Sequence, residues 1–554
     1  MTEKRSKKNN FIMQAGILAA AGIISRMIGL LYKSPLMSII GETGMGYYSE
    51  AYAYYTIVLL VSSYSIPSAI SKVIAQKLGK KEYRNAHRIF LCAIGYVLAV
   101  GAAASLFLYF GAGLFVVEEA VPVLRVFAPT VFVYGLLGVL RGYFQAHKSM
   151  AQTSVSQILE QIAHVIVSLV LARVMITAKL GSLEMPEDAA ARVDRAVYGA
   201  MGSAVGIGAG VLTALLFMGG IYALNYRYLH RRIAADTHEQ VDSCGEILKL
   251  IVKVVTPFIL STAVYNLNVS LNSWVYTKIF PMFRELDGEL LHGDYGVFNG
   301  MAVTISNIPI AFSSAMASAM LPYVSQLLAV RDYAGAREKI GVAVKSTMVI
   351  SIPSAVGLFV LAEPITCLLF PSRGDEVIAM ASKLLMTLAL SVVLYALSTL
   401  NNTILQGLGR VNAPIWNAAL ALVVQTVTAV GLLLFTDLGI YSLAAASTVF
   451  AGCMCLLNQR SVRKAIGYRQ EIVRTFLIPA AASAFMGMMA WAVYEGCLLL
   501  FHSPRIAVFP AVLAGVAVYF CMLLLLRGVT EQELKSFPKG YLLVKLAKKC
   551  RLLK

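Results

Sequence analysis

The sequence predicts an all-α, polytopic membrane protein with 14 transmembrane helices, arranged as two pseudo-symmetric six-helix bundles plus two extra C-terminal helices. Three observations predict it. Of the 554 residues, 58% are hydrophobic and only 14% charged, against about 25% charged in a soluble protein. Apolar stretches long enough to cross a bilayer succeed one another from Phe11 to Leu526. A span takes about 20 apolar residues, and in lipid its backbone groups must be satisfied within the segment, which makes it a helix. The third observation is an internal repeat.

In chain order, the first half spans at 11–38, 46–76, 89–115, 119–145, 150–177 and 197–226. The second spans at 247–280, 295–328, 340–362, 377–406, 411–435 and 438–458, and two more follow at 473–500 and 505–527. Lys4, Arg5, Lys7 and Lys8 precede the first span and no cleavage site follows it, as in a retained start-of-transfer signal. Between the second and third spans lie Lys77, Lys80, Lys81, Arg84 and Arg88; Glu118 and Glu119 follow the third. Arg141 flanks the inner end of the fourth. A mixed loop with Glu184, Glu187, Asp188 and Asp194 precedes the sixth span, which ends in Arg227, Arg231 and Arg232. The loop after the seventh is acidic (Glu285, Asp287, Glu289, Asp294). Arg331, Arg337 and Lys339 follow the eighth, Arg410 the tenth, Asp437 the eleventh, and Arg460, Arg463 and Lys464 the twelfth. Basic loops therefore alternate with acidic or mixed ones, a register that one miscounted helix would break. It places both termini in the cytoplasm and the chain in the cell membrane. The basic C-terminal tail (Lys535, Lys539, Lys545, Lys548, Lys549) reads as the last positive-inside segment or as a surface for anionic lipid.

The halves align at a near-constant offset. Ser68, Ala69, Gln76, Leu78, Tyr83 and Ala86 meet Ser318, Ala319, Gln326, Leu328, Tyr333 and Ala336, 250 positions on. Val131, Tyr134, Leu136 and Gln145 meet Val392, Tyr395, Leu397 and Gln406, 261 positions on. The repeat pairs helix 2 with helix 8 and helix 4 with helix 10. A period of six helices inserts both copies in the same sense, about an axis along the membrane normal. The expected divisions are 1–235, 236–460 and 461–554, the last holding helices 13 and 14, a docking element or a groove for a lipid tail.

A charge at mid-bilayer costs about 3 kcal/mol, so each needs a partner or a watery cavity. Helix 1 carries Ser25, Arg26 and Lys33, and the seven-residue step puts both cations on one face. They suit an anionic head group, Arg by its bidentate fork, or they pair internally: Glu50 lies at a depth to match Lys33, and Glu160 to match Arg26. Lys253, near the inner end of helix 7, is a further ligand candidate or a snorkelling flank. Glu160 and His164, four apart on one face, form a structural hydrogen bond or a proton relay. The eight cysteines show no metal spacing and read as small packing residues. Positive charge confined to short loops speaks for topology and against nucleic acid. The Gly-rich run 200–210 fits close helix packing rather than a nucleotide loop. No catalytic constellation or ATPase-sized soluble domain is visible, so neither an enzyme nor a cofactor is expected, and energy comes from an ion gradient, whose ion stays open, or the membrane potential.

Residues 25–42, SRMIGLLYKSPLMSIIGE, resemble the opening of the multidrug/oligosaccharidyl-lipid/polysaccharide (MOP, MATE-like) exporter superfamily, within it the SpoVB and MurJ-type lipid II flippases. The blocks 44–76, 320–326 and 401–420 carry the likeness along almost the whole chain. Ser25, Arg26 and Gly29 match the helix 1 motif. The Gram-negative branch continues with an Arg-Asp pair where this chain has Tyr32 and Lys33, and its helix 8 arginine aligns near Val303 and Thr304. Lys33 or Lys253 would then supply charge that the other branch takes from arginine. The resemblance implies a monomer that flips an undecaprenyl-diphosphate-linked glycan, lipid II first among them, by alternating access within the membrane lipid and beside cell-wall synthesis enzymes. Another lipid-linked polysaccharide, or cation-coupled drug export, is the alternative.

Overall fold

The computed structural model describes residues 22–529, apart from 23, 26, 65, 148, 185, 235, 237–241, 285–286, 330–331 and 411. All regular structure among them is helical. They form two compact units that divide between Gly300 and Met301.

Unit one opens with helical turns over 27–31 that run into α1 (Lys33–Leu59), a π-helical turn (Leu60–Tyr64) and α2 (Ile66–Gly79). Then come α3 (Tyr83–Phe115), α4 (Val121–Ala146), α5 (Met150–Leu180), α6 (Ala189–Ala234) and α7 (Cys244–Trp274). A second π turn (Val275–Ile279) and the short α8 (Gly288–Val297) lead into a third (Phe298–Ala302) at the unit boundary. Unit two holds α9 (Val303–Ala329), α10 (Tyr333–Val360), α11 (Ala362–Leu369), α12 (Asp375–Gly407), α13 (Asn412–Phe435), α14 (Tyr441–Ile466), α15 (Ile478–Phe501) and α16 (Pro504–Leu525).

Ten helices among the described residues are long and apolar enough to cross a membrane. Their outward faces carry Leu114, Leu224, Phe435 and Leu499, each more than three-quarters exposed, an apolar exterior that suits lipid and not water. These ten match ten of the expected spans, with several extended at their charged ends. The other four expected spans (11–38, 46–76, 247–280, 295–328) are those that the structure describes only in part or interrupts with the Gly41 break and the π turns. Tyr83 and Tyr333, 250 positions apart, both open a helix, and Ala146 and Gly407, 261 positions apart, both close one.

Gly41 is the corner of unit one. Its φ of 77° is a left-handed conformation that a Cβ disfavours. Sixteen residues of straight helix would separate Tyr32 from Tyr48 by about 24 Å, yet their hydroxyls lie 2.8 Å apart. The chain therefore doubles back at Gly41 into a hairpin of two helical arms. Arg195 on α6 donates to the Ile39 carbonyl at 2.7 Å, so a cation satisfies a carbonyl at the end of the first arm. The second arm meets α8 backbone to backbone: a Cβ on Gly46 would strike the His292 carbonyl, and one on Gly296 would strike that of Glu42. Along α6, Gly202, Gly206 and Gly210 do the same against Leu171, Ser168 and Glu160 of α5, which fulfils the small-residue reading of that run.

Loops expected on one side meet each other. Arg192 pairs with Glu289 at 3.2 Å. At the other end, Lys77 pairs with Glu82 at 2.9 Å and with Asp242. Asp236 accepts from the Arg84 backbone at 2.8 Å, and Asn85 accepts from the Asp242 backbone at 3.0 Å. Ser243 and Glu246 close a capping box on α7. One cysteine reading needs correction: Cys92 and Cys244 are joined by a disulfide, with Cα atoms 6.1 Å apart. They stand 152 positions apart in sequence, a pairing that spacing could not reveal. In unit two, α15 and α16 pack on α10 through Val349, Ala482 and Leu523, and Tyr519 donates to the Val349 carbonyl at 2.6 Å.

Gly46→Ala is expected to lower the thermal midpoint of the purified protein, at a cost of about 1–3 kcal/mol. Gly219, with nothing within 4 Å of its missing Cβ, tolerates the same change. Equal midpoints for the two variants would refute the close crossing. The Lys77 ammonium and the Asn85 amide hold the Glu82 carboxyl below its usual range. A depressed carboxyl contributes stability above its unfolded pKa and loses it as pH falls through the folded one. Amide exchange at Asp242–Glu246, corrected for intrinsic chemical exchange, should therefore rise in acid, below about pH 4, and stay flat from neutral pH down to that point.

Candidate functional site

The residues singled out in the sequence lie on the interrupted helices and the helices packed against them. The first arm of the hairpin rests on α5: Gly29 leaves room for the Gln161 amide, and the Tyr32 ring meets His164 edge-on at 4.7 Å. Ser25, on this arm, is partly exposed, and its hydroxyl oxygen is buried without a hydrogen-bond partner among the described residues. Lys33 follows Tyr32 and is half-buried. Arg26 lies outside the described residues. Lys253 falls on α7, but its side chain does too.

Glu160 and His164 do not bond each other. The Gln161 amide donates to His164 Nδ1 at 3.0 Å. Glu160 accepts from Arg141 at 2.7 Å. Arg141, expected as an inner flank, is instead 5% exposed and also donates to Ser156 at 2.9 Å. The α4–α5 interface thus carries a charge pair that the sequence reading divided between a loop and a relay. Five fixed donors allow a guanidinium to satisfy both oxygens.

Glu50 is fully buried and its partner is not Lys33. One carboxylate oxygen accepts from the Thr277 hydroxyl at 3.2 Å and from the Val117 backbone at 3.3 Å. The other faces His292 Nδ1 at 3.5 Å, too far for a hydrogen bond, and neither atom has another partner among the described residues. Thr277 lies in the second π turn and His292 on α8, so the cluster gathers elements more than two hundred positions apart in sequence. His292 and Thr277 escaped the sequence reading because a lone histidine in a loop-flanked helix and a threonine in an apolar run carry no spacing signal.

Farther along the same arm is an apolar cavity of about 500 Å³ between α1, α3 and α7. Tyr54, Val58, Phe107, Leu114, Leu267 and Trp274 line it, and its chemistry suits hydrocarbon. No group of three or more metal-ligating side chains occurs among the described residues.

Glu160→Leu alone leaves the Arg141 charge buried and unmatched, a loss of about 3–5 kcal/mol. Arg141→Met with Glu160→Leu removes both charges and should recover most of it. Thermal midpoints of the single and double variants check this; a double variant no more stable than the single would refute a paired site.

The family model described as lipid II flippase MurJ matches residues 86–509. Stage V sporulation protein B of Bacillus subtilis (strain 168) is 23% identical over 546 residues, covering 96% of this chain and 98% of that protein. Lipid II flippase MurJ of the same organism is 21% identical over 492 residues, covering 85% and 86%. Among solved structures, lipid II flippase MurJ in an inward closed conformation aligns with a TM-score of 0.64 at 15% identity, covering 91% of this chain and 97% of that one. An inward-facing MATE family transporter of the MOP superfamily also reaches 0.64, at 16% identity, covering 80% and 94%. These two likenesses establish the fold, and the family match spans most of the interrupted and regular helices described above; the chain belongs to the MurJ lipid II flippase family.

Proposed function

We propose that the protein carries an undecaprenyl-diphosphate-linked glycan, lipid II first among the choices, from the inner to the outer leaflet of the cytoplasmic membrane. The family match over residues 86–509 is the observation that carries this reading. The Bacillus relative named a lipid II flippase supports the substrate. The relative named for sporulation supports a role at that stage.

The proposed topology is 14 spans with both ends in the cytoplasm, divided 1–235, 236–460 and 461–554, and working as a monomer by alternating access. Helix ends in register between the halves support the repeat, and the meeting of like loops supports the alternation of sides. A diphosphate cannot cross hydrocarbon bare, because an unpaired charge there is too costly. Arg26 and Lys33, on one face of helix 1, would take that charge in the inward-open state, with Ser25 beside them and Lys253 supplying a further cation. The polyprenyl tail stays in lipid throughout. The MATE likeness alone does not favour drug export: it shows the fold, while cations on helix 1 suit an anion better than a cationic drug.

The test is rescue of a strain depleted of its lipid II flippase, scored by growth and by labelled lipid II in the outer leaflet. Wild type should rescue. Arg26→Ala should not, at equal expression, and Arg26→Lys should lose much of the activity if the bidentate fork matters. Full rescue by Arg26→Ala would remove that residue from the path. Failure of a well-inserted wild type would move the substrate to another lipid-linked polysaccharide.

A further inference from the structure

Glu50 stands apart from the cations of helix 1 and has no evident part in gripping a diphosphate. Its burial is complete, and a carboxylate so placed costs several kcal/mol unless charge or hydrogen bonds compensate it. Thr277 and Val117 satisfy one oxygen. The second oxygen and His292 Nδ1 face each other at 3.5 Å, both otherwise unpartnered. Each is a proton acceptor when deprotonated, so they can join only through a proton on one of them. With one proton added to a carboxylate and a neutral imidazole, the pair is net neutral, the form that low dielectric favours.

The charged and titratable groups around the pair come from every element packed on it. The hairpin arm brings Tyr47 and Tyr54. The 118–120 turn brings Glu119, the π turn brings Lys278, and α8 brings Tyr295. Glu119 opposes a second negative charge at Glu50 and Lys278 favours one, leaving the choice to the proton shared with His292.

The position of the pair gives that proton a mechanical consequence. Glu50 and Val117 lie in the first half of the repeat, Thr277 and His292 in the second, and all four lie within the same compact unit, 1–300. The His292 carbonyl is the atom that occupies the space left by Gly46, and Gly296 seats α8 against Glu42. Any separation of α8 from the hairpin therefore pulls His292 from Glu50. Both π turns next to α8, at 275–279 and 298–302, are windings that recur at functional joints.

We propose that Glu50 and His292 form a proton-binding site that fastens α8 to the 42–50 arm. The pair takes up one proton when this contact closes and gives it to water when the contact opens. Transport by the proposed flippase would then be linked to pH at the side on which this contact opens; that extension rests on the flippase reading, whereas the proton site does not.

The test is amide hydrogen exchange across α8 in the full-length purified protein. Rates are corrected for intrinsic chemical exchange and measured between about pH 5 and pH 9. Wild-type protection of Gly288–Val297 should fall by about tenfold or more as the pair loses its proton. Glu50→Gln, which keeps the shape of the protonated carboxyl, should hold protection high and flat across the range. His292→Gln should flatten the profile as well, at lower protection, and serves if Glu50→Gln does not fold. Protection independent of pH in the wild type would overturn the proposal, as would a Glu50→Gln profile that follows the wild type. Because the readout is local opening and not glycan movement, it fails or succeeds apart from the rescue assay.

Discussion

Backbone satisfaction in hydrocarbon governs this molecule. A peptide group with no water to bond must bond within its own helix, so an interruption is tolerated only where protein or a watery cavity supplies a partner. The regular helices, from α3 to α6 and α12 to α14, carry the apolar exterior. In unit one the interruptions fall elsewhere: at Gly41, at the π turn 60–64, and at the two π turns that bracket α8. The elements at those breaks carry Lys33, Glu50, Thr277 and His292. Helical irregularity and intramembrane polarity are the same feature seen twice, because a break needs buried polar company and a polar side chain needs a place away from lipid.

Glycine is what lets the broken elements close on each other. At Gly41 the positive φ turns the chain; at Gly46 and Gly296 the missing side chains bring two backbones into contact. While that crossing is closed, the two backbones, and not the flexibility of either side chain, set the Glu50–His292 separation. Arg195 adds to this by binding the Ile39 carbonyl and reaching toward that of Leu183 at 3.4 Å, which ties α6 to the corner.

Most of the fold was legible in the sequence because membrane helices are specified by one-dimensional signals. Length and hydropathy gave the ten helices long and apolar enough to span, while loop charge and spaced identities carried the expected alternation and repeat. What escaped was pairing across space. Glu160 was visible as a buried carboxylate, but its partner Arg141 stood at a helix end where a flanking role is the ordinary reading. Glu50 was visible too, yet Thr277 and His292 lie more than 220 positions later, and only the fold places them beside it. Cys92 and Cys244 failed for the same reason. Local patterns report which face a residue lies on, and contacts between faces follow from packing that no short window contains.

The two carboxylates, Glu50 fully buried and Glu160 partly so, show how packing divides similar groups between different tasks. Glu160 meets the guanidinium of Arg141, which ties α4 to α5. Glu50 meets an imidazole, whose charge changes near neutrality when unperturbed, and a hydroxyl, which carries none. The Arg141–Glu160 pair joins α4 to α5, and the Glu50–His292 contact joins the hairpin arm to α8, both within residues 1–300.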